Sequence, residues 1–108
     1  MDTDKYRKIP LSFEVGGVNI AVEFAQHSPS DGVVGQTSIA EDKISIFDEV
    51  GINTHQGKGS QVNSFYHELV HAILITMGED SLNKNERFVC TFAGFLTEAM
   101  KNAYFKED

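Results

Sequence analysis

The stretch "SFYHELVHAILITMG", residues 64–78, carries two imidazoles and a carboxylate in an otherwise nearly apolar segment. His67 and His71 are four residues apart, a spacing that on a helix holds the two Cβ atoms about 5–6 Å apart. Two imidazoles at that separation can bind one ion, with Zn–N distances of about 2.0–2.1 Å. Glu68 follows the first histidine, so its carboxylate can take a proton from a water that the metal activates. The three residues match the HExxH pattern of zinc metalloproteases, which predicts a zinc site with Glu68 as the catalytic base.

A simpler interpretation makes these residues part of a core, because a buried histidine is usually a hydrogen-bonded structural residue. Burying two imidazoles and a carboxylate without a partner is costly, which favours the metal site. A helical wheel supports this choice, because the histidines lie opposite the broad apolar face expected to rest on a sheet. That face consists of Val62, Phe65, Leu69, Ala72, Ile73 and Thr76. Leu74 and Ile75 lie on the histidine side, so we expect a second helix to cover it.

A catalytic zinc normally has three protein ligands, and the third must come from elsewhere in the chain. A third histidine six residues after the second is excluded, because Met77 occupies that position. Glu86 is the preferred ligand, since it begins the next predicted helix and a turn at Gly78 brings that helix back towards His71. The alternative role for Glu86 is a capping box with Asn83, three residues earlier.

Other polar residues are weaker candidates. Glu79 and Asp80 lie in the predicted turn, and His27 and His55 lie in upstream loops, which makes them unusual ligands. A zinc peptidase also needs a group that stabilises the oxyanion of the tetrahedral intermediate. His55 is the candidate for that role, because it lies in the loop before the helix.

The elements that must position these residues divide the chain into two halves. Strands are predicted at residues 11–15, 18–25, 33–39 and 43–47, and Gly16-Gly17 is typical of a tight hairpin turn. Helices are predicted from Ser60 to Met77 and from about Asn83 to about Tyr104. Strands followed by helices predict an α+β domain with a small, mostly antiparallel sheet. On the second helix, small residues allow close approach to the first (Cys90, Ala93, Thr97), and large ones are expected to fill the core (Phe88, Phe92, Phe95, Leu96, Met100).

Composition limits the classes of function. A chain of 108 residues with 41% hydrophobic residues suits one folded domain over residues 1–108, and the polar residues 1–10 are expected to form a flexible tail. No apolar run is long enough to span a bilayer, and "MDTDKYRKIP" lacks the apolar region of a signal peptide. The net charge of −7 argues against nucleic acid and anionic membranes as partners. A single cysteine, Cys90, suits the reducing cytoplasm.

"FYHELVHAILITMG" followed by "LNKNERFVCTFAGFLTEAM" resembles small gluzincin-type metallopeptidase-like proteins of phages and prophages, similar to the ImmA/IrrE metallopeptidases. The upstream segments "GGVNIAVEF", "DGVVGQTSI" and "KISIF" occur in the same order as in that family. The resemblance implies a minimal zincin-like fold, in which His67, His71 and Glu86 hold Zn2+ and Glu68 is the general base. It also implies a peptide or protein substrate bound along an edge strand, for which residues 43–47 are the candidate, and, for a phage-encoded protein, the host cytoplasm.

Three functions are consistent with these residues. The first is a zinc-dependent metallopeptidase. The second is a non-catalytic zinc-binding or protein-interaction domain, such as a phage accessory protein. The third is a structural zinc that stabilises the fold, which predicts that chelation unfolds the domain.

Overall fold

The computed structural model describes residues 9–106, in which a sheet is followed by helices, as predicted for an α+β domain. The strands are β1 (Ser12–Val15), β2 (Val18–His27), β3 (Gly35–Ser38), β4 (Lys43–Gly51) and β5 (Thr54–His55). The helices are α1 (Lys58–Met77), α2 (Asp80–Asn83) and α3 (Glu86–Lys101). Of the predicted tail, residues 1–8 lie outside the described part, and Ile9 packs partly buried against the core. No described helix is long and apolar enough to cross a membrane.

The sheet is mixed, in the order β1-β2-β4-β3, with β5 paired to the end of β4. β1 and β2 form the predicted hairpin, and Gly16 and Gly17 adopt φ of 59° and 80°, which glycine reaches without steric cost. β3 and β5 are also antiparallel to β4. The central pair, β2 with β4, is parallel, so the prediction of a mostly antiparallel sheet missed the pairing at its centre.

The predicted edge strand is central instead. Residues 43–47 belong to β4, which pairs with β2 on one side and β3 on the other, so that prediction is wrong. Ile44 and Ile46 on this strand are almost completely buried. Within residues 9–106, β3 forms the edge of the sheet on that side. The error has a physical reason, since the strand's apolar run "ISIF" is typical of a strand buried on both faces rather than of an edge.

α1 packs between the sheet and α3. Phe65 and Ala72 join a cluster with the sheet residues Ile20, Val22, Ile44 and Ile46. On its other side, Val70 and Leu74 pack with Val89 and Ala93 of α3. α3, which corresponds to the predicted second helix, therefore covers Leu74 as predicted, whereas Ile75 remains 36% exposed.

The helix ends differ from the predictions by a few residues. α1 begins at Lys58, two residues before the predicted Ser60, and ends at Met77 because Gly78 takes a left-handed conformation with φ of 76°. α2 then forms one short turn, and α3 runs from Glu86 to Lys101, shorter at both ends than predicted.

Gln56, which the sequence did not single out, ties the start of α1 to the sheet. Its side-chain amide donates to the carbonyl oxygens of Phe47 (2.7 Å) and Val34 (3.1 Å). Its Oε1 accepts hydrogen bonds from the hydroxyls of Ser60 and Ser64. Ser60 therefore contacts Gln56, and the helix starts without a side-chain cap.

The large residues of α3 do not all enter the core. Phe88 and Leu96 pack against the cluster between α1 and α3, but Phe92, Phe95 and Met100 are exposed, which corrects the prediction for these three. The reason is that α3 is the outermost layer of the described chain, and only its inner face meets α1.

Candidate metal centre

His67, His71 and Glu86 lie together, as predicted, between α1 and the first turn of α3. Each offers one ligand atom, and these atoms all lie within 4.8 Å of one another; no other such group of three occurs among residues 9–106. Nε2 of His67 is 3.4 Å from Glu86 Oε2, and Nε2 of His71 is 3.2 Å from Glu86 Oε1. Both imidazoles thus direct the same ring nitrogen at a single carboxylate.

These distances suit a zinc ion. Four tetrahedral ligands at about 2.0–2.1 Å from zinc lie about 3.3–3.4 Å from one another. The two nitrogen–oxygen distances, 3.4 Å to Oε2 and 3.2 Å to Oε1, are close to that separation, and one ligand atom from each of the three residues lies within 4.8 Å of the others. The histidine side chains are 21% and 16% exposed and the Glu86 side chain 64%, so an ion can reach the group from solvent on the carboxylate side.

Asn83 orients His71 from the far side of its ring. The Nδ1 atom of His71 lies 2.7 Å from Asn83 Oδ1, and since an amide oxygen only accepts, Nδ1–H donates and Nε2 keeps its lone pair for a ligand. Metal-binding histidines usually have such a partner on their second nitrogen. The capping-box alternative for Glu86 is wrong, because Asn83 ends α2 and Asn85 caps α3 by accepting a hydrogen bond from the Phe88 N–H.

The small residues of α3 allow the approach that brings Glu86 to the histidines. Cys90 Sγ lies 3.8 Å from Nδ1 of His67, and Ala93 is buried in the cluster between α1 and α3. One turn further, the Thr97 hydroxyl donates to the Ala93 backbone oxygen at 2.7 Å and lies 3.2 Å from Asn63 Oδ1. The predicted face of close contact between the two helices is confirmed.

Glu68 projects towards β3 and is buried, with 7% of its surface exposed. The hydroxyl of Thr37 donates to Glu68 Oε1 at 2.7 Å and lies 3.1 Å from the Glu68 backbone oxygen. Gly35 leaves the space that the glutamate needs, since a Cβ built there would lie 3.1 Å from Glu68 Cγ. Sequence reasoning missed Thr37 and Gly35, because only the packing of β3 against α1 brings them to the site.

The weaker candidates lie apart from this group. His27 pairs with Glu49, and the His55 ring faces Asp48 at 3.5 Å and Glu49 at 3.9 Å. His55 on β5 therefore faces these two carboxylates and not the candidate ligands, which leaves its predicted role with the oxyanion without support. Glu79 and Asp80 lie at the start of α2 and are absent from the group.

Tyr66 lies on α1 next to His67 and packs against both apolar clusters. Its ring meets Phe65 edge to face at 5.1 Å, and burial raises the pKa of its phenol above the ordinary value. Tyr66 thus provides packing. No oxyanion donor is identified among the candidate residues.

Comparisons with protein-family models, with curated proteins and with solved structures found no match. The resemblance to ImmA/IrrE-like metallopeptidases therefore stays a prediction from the sequence.

Proposed function

We propose that this protein is a zinc-dependent metallopeptidase whose ligands are His67, His71 and Glu86. The observation that carries the proposal is the convergence of both histidine Nε2 atoms on one carboxylate, at 3.4 and 3.2 Å. Asn83 supports it, because the hydrogen bond at Nδ1 of His71 leaves Nε2 free to bind the ion. The intact Glu68 distinguishes the arrangement from a purely structural site, which needs no base.

Zinc held by these ligands would supply Lewis acidity towards a water molecule and a peptide carbonyl. Glu68 takes a proton from the water, whose oxygen forms the new bond to the carbonyl carbon. Glu68 then gives that proton to the amide nitrogen as the C–N bond breaks, which releases a carboxylic acid and an amine. The Thr37 hydroxyl holds the Glu68 carboxylate by its Oε1 throughout.

The substrate we propose is an extended peptide or protein segment bound along β3. β3 is the edge strand of the described sheet on this side, and its Thr37 contacts Glu68 directly. A peptide added to such an edge gains main-chain hydrogen bonds and passes beside the glutamate. We place this activity in the cytoplasm, where the single cysteine, Cys90, stays reduced.

The second candidate is a non-catalytic zinc-binding domain, such as a phage accessory protein. It is favoured by the burial of Glu68 and by the hydrogen bond that already occupies its Oε1. In that case His67, His71 and Glu86 bind zinc, and β3 serves as a docking edge without cleavage.

Elemental analysis and a Glu68→Gln variant separate the candidates. We expect one equivalent of zinc in protein purified without added metal, lost on His71→Ala, and cleavage of a broad peptide library by the wild type only. The Glu68→Gln variant should keep zinc and lose cleavage, because the amide cannot take the proton. Zinc without cleavage in the wild type would favour the non-catalytic domain, whereas no zinc at all would leave the three side chains as a histidine–carboxylate ion pair and refute both.

A further inference from the structure

α3 presents an apolar stripe beside the face that packs on α1, and Phe88 at its N-terminal end also contacts the cluster between the two helices. Phe88, Phe92 and Phe95 lie within a sector of about 60° on this helix. Phe92 is 51% exposed and Phe95 69%, and the rings of Phe88 and Phe92 lie 5.7 Å apart. Together with Asn85, Arg87 and Thr91 they line a shallow depression. Phenylalanines spaced like this on a helix are typical of a surface that another helix covers.

Two charges on one flank of the stripe identify the partner. Arg87 and Glu98 project within about 20° of each other and are separated by about 16 Å along the helix. Both are exposed, and neither forms an ion pair within residues 9–106. A surface with opposite charges at its two ends is complementary to itself when a second copy is turned end for end.

We propose that α3 is a homodimer interface, in which two copies pair antiparallel through Phe88, Phe92 and Phe95. In this register Arg87 of each copy lies opposite Glu98 of the other, so the twofold axis produces the ion pair twice. The phenylalanines then alternate along the axis instead of colliding. Along the helix axis, the three phenylalanines of the second copy lie opposite residues 90, 93 and 97 of the first copy. They therefore do not lie directly opposite Phe88, Phe92 and Phe95 of the first copy.

The interface leaves the metal group accessible. Glu86 lies about 150° around the helix from the middle of the stripe, because its side chain is directed at α1. Dimerisation therefore covers the outer face of α3 while the inner face holds the candidate ligand. The proposal stands independently of whether the group binds zinc.

Sedimentation of the full chain, from micromolar to about millimolar concentration, tests the proposal. We expect a monomer–dimer equilibrium for the wild type and a monomer throughout for Phe92→Gln combined with Phe95→Gln. Circular dichroism should show both folded, since neither ring belongs to a buried cluster. Ile52→Gln is the control, as it removes an 89% exposed hydrophobic residue outside α3 and should leave the dimer intact.

Charge exchange tests the register. Arg87→Glu or Glu98→Arg alone places like charges opposite each other twice and should raise the dissociation constant about tenfold. An equimolar mixture of the two variants should form a heterodimer about as tight as the wild-type dimer, because all four charges are then opposed correctly. A wild type that remains monomeric overturns the proposal, and a mixture that dimerises no better than its components overturns the antiparallel register.

Discussion

Asn83→Ala removes the hydrogen-bond partner of a candidate ligand without touching the ligand itself. The bond from His71 Nδ1 to Asn83 Oδ1 is 2.7 Å long and fixes both the tautomer and the orientation of the ring. Without it the imidazole can rotate and can place its proton on Nε2, the atom that faces Glu86. Loss of such a partner typically weakens metal binding about 10- to 100-fold, which corresponds to about 1.4–2.8 kcal/mol. The cost to folding should be smaller, about 1 kcal/mol for one hydrogen bond.

Competition with a chromophoric zinc chelator measures the affinity, and urea denaturation of the metal-free protein measures the stability. Asn63→Ala is a matched control, because Asn63 also bridges α1 to another helix but contacts Thr97 rather than a ligand. Asn83→Asp should retain zinc affinity, since a carboxylate oxygen can accept the same hydrogen bond. The reasoning is refuted if Asn83→Ala binds zinc as tightly as the wild type, or if Asn63→Ala weakens binding equally.

Three further predictions concern the base, the sheet and the metal. Gly35→Ala should reduce peptide cleavage about tenfold at unchanged zinc affinity, because the added Cβ lies 3.1 Å from Glu68 Cγ and displaces the Glu68 carboxylate. An unchanged cleavage rate would contradict this. Gln56→Ala should lower the free energy of unfolding by about 3 kcal/mol in urea titrations, since it removes the hydrogen bonds from the amide to two carbonyls and from two hydroxyls to its oxygen. A loss within experimental error would show that water replaces the amide. Chelation of the metal should lower the melting temperature but leave the helical circular dichroism signal intact at room temperature, because His67, His71 and Glu86 belong to neither apolar cluster. Unfolding on chelation would instead indicate a structural zinc.

The proximity of the three candidate ligands follows from local rules and from one short connection. His67 and His71 are four residues apart on a continuous helix, so their convergence depends only on helix geometry. Gly78 ends that helix with a positive φ, and Glu86 lies eight residues later at the start of α3. A connection this short leaves α3 few arrangements other than folding back along α1, which is why the position of Glu86 beside the histidines was predictable.

The sheet was less predictable, because strand pairing joins distant parts of the chain. The hairpin at Gly16-Gly17 follows from the two-residue turn. The parallel pairing of β2 with β4 does not, since alternating and apolar patterns are compatible with several strand orders. The misplaced edge strand follows from the same ambiguity, and with it the contacts of Thr37 and Gly35 to Glu68 were missed.

Sequence alone determined the residues of the candidate metal centre, the helix that carries two of them and the hairpin turn, because each depends on neighbours within a few positions. Tertiary structure decided that β3 covers Glu68, that Asn83 supports His71 and that the outer phenylalanines of α3 remain exposed. Thr37 and Glu68 are 31 positions apart, and Asn83 and His71 are 12 apart. Contacts at such separations arise only when whole elements pack, and the burial of a helix face depends on what lies beside it in space.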